Sequence, residues 1–280
     1  MIKKIFTKAL RKIRLSLQPS KIDTVFKKEI SAKNTNHINN QNKFKIKLIT
    51  AFDKKFSEIG NLTSQSIVRY ANHYNFNYQI YDMPETGRAY SWNKISIILN
   101  EIKKKKNDFI MWVDADAFFS SLEKNISNEL DNKFELFLVN HYCTIHKGSR
   151  YLNTKLAIKR INCGVMVFKV SDHNFEFLNK VWNNVKFINH PWWEQASIMD
   201  IIGYRAELNG DLNDQRGDNF YVEKIKYLSN DWNSIPSENF DISLENHDPI
   251  IIHMAGMNQS QRIEFLDKYK KKKGILLSSD

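Results

Sequence analysis

The chain has 280 residues, of which 42% are hydrophobic, so it is long and apolar enough for one α/β domain with a sizeable core. Its formal net charge is +11, yet residues 1–50 contain 13 basic and 2 acidic residues, which leaves 29 of each sign in residues 51–280. A nucleic-acid enzyme carries its positive charge along the catalytic groove more often than in a leader, so this distribution argues against nucleic acid as a partner.

The first 44 residues form a segment of their own. Residues 1–17 place apolar side chains at helical spacing and six Lys or Arg on the opposite side, which predicts a basic amphipathic helix. Such a helix either contacts an anionic membrane surface or packs on its own domain, and the sequence leaves both open. Residues 20–44 are polar and Asn-rich, typical of a linker. We therefore predict two parts, residues 1–44 and a catalytic domain over residues 45–280.

The number of cysteines and the lengths of the apolar segments indicate the cellular compartment of the protein. Cys143 and Cys163 are too few for a disulfide framework and lack the spacing of zinc ligands, which favours a reducing environment. No segment has the continuous apolar length of a secretory signal or a membrane span. We predict a cytoplasmic protein, peripheral on the cytoplasmic face of a membrane if the amphipathic helix binds one.

Hydrophobic periodicity in residues 45–280 predicts alternating strands and helices, an α/β domain in which β-α-β-α-β leads into the third strand. The predicted strands are Lys45–Phe52, Tyr78–Tyr81, Phe109–Val113, Glu135–Asn140, Gly164–Phe168 and Pro249–His253. The predicted helices are Glu58–Tyr74, Tyr90–Lys104, one marked by Phe175, Leu178, Val181, Trp182 and Val185, then Trp193–Ile202 and Gln261–Lys273.

The third strand is followed by two carboxylates one residue apart, Asp114 and Asp116. Burying both in a dry core would be very costly, so we expect them at the carboxyl end of the strand and at the mouth of a cleft. Carboxylate oxygens suit Mg²⁺ and Mn²⁺, the cations that accompany phosphates. Asp is also a common residue of surface turns. The large apolar side chains of Trp112 and Phe118 flank this pair, however, so the pattern favours a site over a simple surface turn.

Five segments occur in an order that resembles one family. They are W-V-D-A-D-A, I-N-C-G-V-M-V-F-K, W-W-E-Q-A-S, W-N-S-I-P and I-I-H-M-A-G, at Trp112–Ala117, Ile161–Lys169, Trp192–Ser197, Trp232–Pro236 and Ile251–Gly256. Residues 45–258 resemble the galactosyl/mannosyl/xylosyltransferase family, which includes Golgi galactomannan galactosyltransferases, mannan-polymerase subunits and xyloglucan xylosyltransferases.

The resemblance implies a GT-A glycosyltransferase fold, a Rossmann-like mixed sheet flanked by helices. It implies a metal-dependent, retaining enzyme that uses Mn²⁺ or Mg²⁺ and moves a hexose or pentose from a UDP- or GDP-sugar to a glycan or glycolipid acceptor. It also implies the roles of individual residues: metal ligands Asp114, Asp116 and His253; donor-binding residues Ala51, Lys94, Asp114, Asp116, Asn162, Gly164 and Gly256; catalytic residues Glu194 and Gln195.

The sequence departs from the family at two points. Trp193 stands where plant members have a further Asp, and Met257 and its neighbours stand where they have a Lys, so we expect Lys94 or Arg262 to contact the leaving phosphate instead. Lys94 would equally suit the solvated face of its helix. The aromatic residues Trp192, Trp193 and Trp232 suit either core packing or stacking on sugar rings.

Two other classes of protein share some of these features. An Asp-x-Asp after an apolar strand also resembles haloacid-dehalogenase phosphatases, and residues 210–214 superficially echo the later acidic motif of that family. The position on the third strand and the absence of a following Thr argue against that class. A non-catalytic scaffold on a membrane is the third possibility, against which the retained Asp114, Asp116 and His253 argue.

Overall fold

The structure is a computed structural model that describes residues 42–146, 155–203, 220–236 and 249–273. Alternation of strands and helices runs through the first half of the domain, as the periodicity predicts. In chain order the elements are β1 (Ile46–Phe52), α1 (Ser57–Tyr74), β2 (Asn77–Asp82), α2 (Tyr90–Lys103) and β3 (Phe109–Val113).

The second half begins with a short strand and a long hairpin. Its elements are β4 (Ala117–Phe119), β5 (Leu136–His146), β6 (Lys155–Lys169), α3 (Asp172–Asn183), α4 (Trp193–Ile201), β7 (Ile225–Leu228), β8 (Ile251–His253) and α5 (Gln259–Lys273). Ser171 caps α3, because its side chain accepts a hydrogen bond from the backbone N–H of Asn174.

The main sheet has six strands in the order β2-β1-β3-β6-β5-β7. Strands β2, β1 and β3 are parallel, β6 is antiparallel to both β3 and β5, and β7 is parallel to β5. The sheet is therefore mixed, as predicted. The carboxyl end of β3 lies at its middle, where the parallel and antiparallel halves meet, so the two aspartates emerge at the centre of one edge.

The central strand β3 is buried on both faces. Ile110 and Trp112 pack with α2, α3 and α4 on one side of the sheet, whereas Phe109, Met111 and Val113 pack with α1 on the other. All five residues are at most 1% exposed. Side chains alternate across a strand, so an uninterrupted apolar run is what a strand covered by helices on both faces requires.

A two-stranded antiparallel sheet lies next to the main one and brings the end of the chain to the aspartates. β4 pairs with β8, and Ala117 lies opposite His253. Phe118, Ile252 and Leu266 pack together in a small apolar cluster that attaches α5 to this sheet. The packing of Leu266 therefore holds α5 against this small sheet.

The structure corrects several boundaries. The β5–β6 hairpin is much longer than the two strands predicted over Glu135–Asn140 and Gly164–Phe168. The predicted helix of Phe175 ends at Asn183, so Val185 lies beyond it, in a short 3-10 turn, and is 69% exposed. Strands β4 and β7 were not predicted, because three or four residues are too few to establish a period.

The predicted amphipathic helix over residues 1–17 and nearly all of the predicted linker lie outside the described residues. Within the described part of the chain, none of the helices combines the length and the apolar character that crossing a bilayer requires.

His141 on β5 gives the fold a pH dependence. It is 1% exposed, and its burial, together with the nearby His253, lowers its pKa from 6.5 to about 3. Between these values the unfolded chain binds a proton that the folded chain does not, so the free energy of unfolding decreases as pH falls. We expect His141 to account for about 2 kcal/mol of stability lost between pH 7 and pH 5.

Chemical denaturation of the full chain at both pH values measures this loss. His141→Gln should show a smaller decrease than the wild type, whereas the control His73→Gln, at an exposed position, should keep the wild-type decrease. Equal decreases in all three proteins would contradict the assignment to His141.

Candidate active site

The turn between β3 and β4 presents both aspartates to one side. The backbone N–H of Asp114 donates to the carbonyl of Gly164 (2.7 Å), and the N–H of Ala117 donates to the carbonyl of Asp114 (2.9 Å), which closes the turn. The N–H of Met254 donates to the carbonyl of Asp116 (3.0 Å), so the turn is also joined to the end of β8. Backbone bonds from two other strands therefore fix the direction of the carboxylates.

Asp114, Asp116 and His253 form one cluster, with a possible ligand atom of each within 4.8 Å of the others. His253 Nε2 lies 3.3 Å from Asp116 Oδ1 and 3.9 Å from Asp114 Oδ2. Neighbouring ligands of an octahedral ion with 2.1 Å bonds lie about 3 Å apart. Two carboxylates and an imidazole at these separations fit a divalent cation.

Each aspartate presents one oxygen to this cluster and the other to a cation. Asp114 Oδ1 accepts hydrogen bonds from Lys94 Nζ (2.8 Å) and from the indole N–H of Trp112 (2.6 Å). Asp116 Oδ2 accepts from Arg262 Nη2 (2.8 Å) and Nε (3.1 Å). The cations fix the rotation of both carboxylates and leave one oxygen of each directed at His253.

The structure corrects the prediction that both aspartates lie at the mouth of a cleft. Asp116 is only 8% exposed, whereas the side chain of Asp114 is 25% exposed. Burial alone would raise the pKa of Asp116, but His253 and Arg262 outweigh it and hold that pKa well below its usual value. Asp116 therefore remains a carboxylate although it is buried.

Lys94 joins the cluster to a second group of predicted residues. It is 4% exposed and bonds Asp114 and Glu194, the latter at 2.9 Å from Oε1. Burial would lower the pKa of Lys94, but these two carboxylates outweigh it and raise the pKa above its usual value. The alternative that Lys94 lies on the solvated face of its helix is therefore wrong.

Glu194 and Gln195 lie in the first turn of helix α4, with Glu194 in contact with Lys94. Burial, opposed by Lys94, raises the pKa of Glu194 to about 6. Within the described residues its Oε2 has no hydrogen-bond partner. Gln195 Oε1 accepts from the backbone N–H of Cys163 (3.1 Å), which ties α4 to β6. The pair is therefore held between the helix and the sheet edge.

A cavity of about 700 Å³ lies over this edge of the sheet. Every residue that the sequence predicts for the site contributes to its wall: Ala51, Lys94, Asp114, Asp116, Asn162, Gly164, Glu194, Gln195, His253 and Gly256. The structure thus brings all ten together, and their individual roles stay predictions.

Glycine occupies positions 164 and 256 for different structural reasons. A Cβ on Gly164 would overlap the imidazole of His253, so glycine is needed here for the close approach of that ring. Gly256 has φ +79° and open space where a Cβ would be, so its reason is backbone conformation. The space beside Gly164 is therefore filled by a side chain of the protein itself.

Sequence reasoning did not identify Asn233 as a site residue and left Arg262 as one of two options for a phosphate contact. Asn233 is fully buried and contacts His253. Both residues lie far along the chain from Asp114 and Asp116. The only sequence signal for them was their position, because Asn233 lies within W-N-S-I-P and Arg262 lies shortly after I-I-H-M-A-G.

Comparison with known proteins identifies the fold. A glycosyltransferase involved in the glycosylation of the major capsid of PBCV-1 is 16% identical, covers 80% of this chain and 99% of its own, and has a TM-score of 0.55. At this identity the likeness establishes the fold, and the predicted GT-A class is confirmed. The sheet order and the flanking helices described above agree with it.

Two further solved structures are similar at lower scores. Galactosyltransferase LgtC, in complex with donor and acceptor sugar analogs, is 10% identical over 84% of this chain and 97% of its own, with a TM-score of 0.47. Glycosyltransferase GlyE of Streptococcus pneumoniae TIGR4 is 13% identical over 83% and 63%, with a TM-score of 0.48. A scan against protein-family models finds no match. A search of curated protein sequences also finds no match.

The overlap at Gly164 gives a prediction. Gly164→Ala should displace the imidazole of His253 and weaken Mn²⁺ binding about 10-fold or more, as the loss of ligand orientation does at metal sites. Isothermal titration of the folded protein with Mn²⁺ measures this effect. If the substitution acts through His253, it should cost little further affinity in a His253→Gln background. Fully additive losses would contradict that route.

Proposed function

We propose that the chain is a metal-dependent glycosyltransferase of the galactosyl/mannosyl/xylosyltransferase type. It transfers a hexose or pentose from a UDP- or GDP-sugar to a hydroxyl of a glycan or glycolipid. One observation carries this proposal: in a GT-A fold, the carboxylate–imidazole cluster and the Lys94–Glu194–Gln195 group face the same cavity. Such convergence of metal ligands and polar side chains is typical of a donor site.

Asp114, Asp116 and His253 would hold Mn²⁺ or Mg²⁺, the cations that carboxylate oxygens favour. When bound, the ion supplies Lewis-acid stabilisation of the charge that develops on the departing diphosphate. The direct contribution of the protein is orientation, because Lys94 and Arg262 already hold the remaining carboxylate oxygens.

Of the two cations considered for the phosphate contact, Arg262 is the better candidate. Lys94 is 4% exposed and is engaged by two carboxylates. Arg262 lines the cavity with a side chain that is 15% exposed and uses only two of its nitrogens on Asp116. A guanidinium has five N–H donors, so further donors remain for a phosphate oxygen.

Glu194 and Gln195 suit the transferred sugar. Glu194 Oε2 is a buried acceptor without a hydrogen-bond partner in the described structure, and a hydroxyl group of the sugar would satisfy it. Because Gln195 Oε1 is held by Cys163, its amide NH₂ is the group available to a substrate. Both side chains can therefore position the sugar without acting as bases.

We propose that the product retains the anomeric configuration of the donor. An inverting enzyme needs a carboxylate base for the acceptor hydroxyl. Each acidic side chain of the described cavity wall has at least one partner: Asp53 the N–H of Phe56, Asp114 and Glu194 the ammonium of Lys94, and Asp116 the guanidinium of Arg262. The remaining oxygen of Glu194, Oε2, is assigned above to a hydroxyl group of the sugar. In front-face attack the bond from the anomeric carbon to the diphosphate breaks, the bond to the acceptor oxygen forms, and the acceptor proton passes to the departing phosphate oxygen.

Trp193 is the proposed aromatic wall for the acceptor. Trp232 is fully buried and serves the core, and the ring of Trp192 stacks against the Arg160 guanidinium at 4.1 Å. Trp193 lines the cavity, is 41% exposed and has φ 43°, a left-handed conformation that costs free energy in a non-glycine residue. An exposed ring held in this way suits stacking on a pyranose.

The two alternative functions, a phosphatase and a non-catalytic scaffold, are tested in different ways. The GT-A fold excludes the haloacid-dehalogenase phosphatase, whose fold differs, and residues 210–214 lie outside the described residues. A non-catalytic scaffold would bind no donor, so the assay of donor turnover below separates it from a transferase.

Full-length protein with Mn²⁺ and a panel of UDP- and GDP-sugars should release nucleoside diphosphate, and Asp116→Asn should reduce this release at least about 100-fold. Loss of one charged metal ligand removes several kcal/mol of charge stabilisation, which corresponds to that factor. Release is measured by a coupled phosphate assay, with thermal unfolding as a check because Asp116 is buried. Asp172→Asn, at an exposed carboxylate outside the cavity, is the matched control. Near-normal release by Asp116→Asn would contradict the metal site.

Gln195→Ala should lower kcat about 10-fold or more while the Kd for the donor stays within about twofold, because an interaction made mainly in the transition state affects turnover alone. Gln79→Ala, at an exposed position outside the cavity, should change neither. Proton NMR of the product linkage should show the anomer of the donor. An inverted anomer, or weak donor binding with normal kcat, would contradict the proposed roles.

A further inference from the structure

His253 reaches the aspartates with one ring nitrogen and contacts a buried amide with the other. Its Nδ1 lies 3.0 Å from Oδ1 of Asn233, which is fully buried. Asn233 belongs to the W-N-S-I-P segment, to which the proposed function assigns no role in catalysis. The direction of the proton between these two atoms decides which nitrogen of His253 has a free lone pair.

The orientation of the Asn233 amide follows from a backbone donor. The N–H of Gly164 donates to Asn162 Oδ1 (2.9 Å), so that atom is an oxygen. The Asn233 atom 3.0 Å from Asn162 Oδ1 must then be a donor, and it also lies 3.4 Å from the Asn162 carbonyl. This atom is therefore the amide nitrogen. The remaining atom, which faces His253, is an oxygen and can only accept.

The backbone fixes the positions of both partners. The N–H of His253 donates to the carbonyl of Ser234 (2.7 Å), and the N–H of Ser234 donates to the carbonyl of Ile251 (2.9 Å). The preceding residue, Trp232, is fully buried in the core. The Asn233 side chain and the imidazole are thus held together by strand-like pairing on one side and by core packing on the other.

We propose that Asn233 is a positioning residue that keeps the His253 proton on Nδ1, so that Nε2 presents its lone pair to the space between Asp114 and Asp116. The chain of donors runs from the Gly164 N–H through the amides of Asn162 and Asn233 to the imidazole. The proposal rests on the proposed function for the metal. Without a cation, the carboxylates of Asp116 and Asp114, 3.3 Å and 3.9 Å from Nε2, favour a proton on that nitrogen as well, so the tautomer is measured with a divalent cation present. Partners of this kind orient metal-ligating histidines and raise their basicity.

The test combines the tautomer of His253 with its affinity for Mn²⁺ alone. In full-length, ¹⁵N-labelled protein saturated with Zn²⁺, a diamagnetic probe that binds imidazole nitrogen, two-bond ¹H–¹⁵N spectra report which nitrogen of His253 carries the proton, and comparison with His253→Gln identifies the signals. Asn233→Leu removes the acceptor at similar volume. Asn233→Asp keeps an acceptor toward Nδ1. Asn174→Leu is the matched control, because Asn174 is a buried amide that bonds the carbonyls of Glu135 and Lys169 instead.

We expect the Nδ1–H form in the wild type, in Asn233→Asp and in Asn174→Leu. Asn233→Leu leaves the Nδ1–H without an acceptor, so its Kd for Mn²⁺ should rise about 10-fold to 100-fold. Protonation at Nε2 in the wild type, or an unchanged Kd in Asn233→Leu, would overturn the proposal. If Asn233→Leu does not fold, the wild-type tautomer and that of Asn233→Asp still decide the outcome. Correct tautomers without donor turnover would refute only the transferase assignment.

Discussion

The buried ammonium of Lys94 is the interaction on which the arrangement of the cavity depends. An unpaired charge at this depth would cost several kcal/mol, so Lys94 requires the two carboxylates that it contacts. Asp114 belongs to the turn after β3, and Glu194 belongs to the first turn of α4. One cation therefore ties the edge of the sheet that carries the candidate metal ligands to the helix that carries Gln195. Removal of Lys94 would separate these two walls.

The balance of charge around Lys94 explains the order in which ligands would enter. Three carboxylates, Asp114, Asp116 and Glu194, face two cations, Lys94 and Arg262, so the group is negative when the histidine is neutral. This negative charge favours the binding of a divalent cation and disfavours the binding of a diphosphate. Once the cation is bound, the sign reverses, and the same cavity attracts the donor.

Local sequence patterns predicted most elements of the fold and the position of Asp114 and Asp116, whereas the other residues around the cavity were predicted from the family resemblance. The apolar run before Asp114 and the helical spacing in α1 and α2 are local, so they can be read from one segment. The partners of Lys94, Arg262 and Asn233 are tertiary contacts between distant segments, which no local pattern encodes. The extent of the β5–β6 hairpin depends on pairing between residues 141–146 and 155–160. The exposure of Val185 depends on where α3 ends. Membrane contact through residues 1–17 stays a prediction.

The pairing of β4 with β8 means that the candidate metal site does not exist until residue 253 has been synthesised and paired. Ala117 lies opposite His253, and a slip of one residue would turn the imidazole to the other face of this small sheet. During synthesis the two aspartates would emerge long before their third ligand. A divalent cation bound to all three side chains would therefore stabilise only the finished fold and would favour it over truncated or misregistered chains.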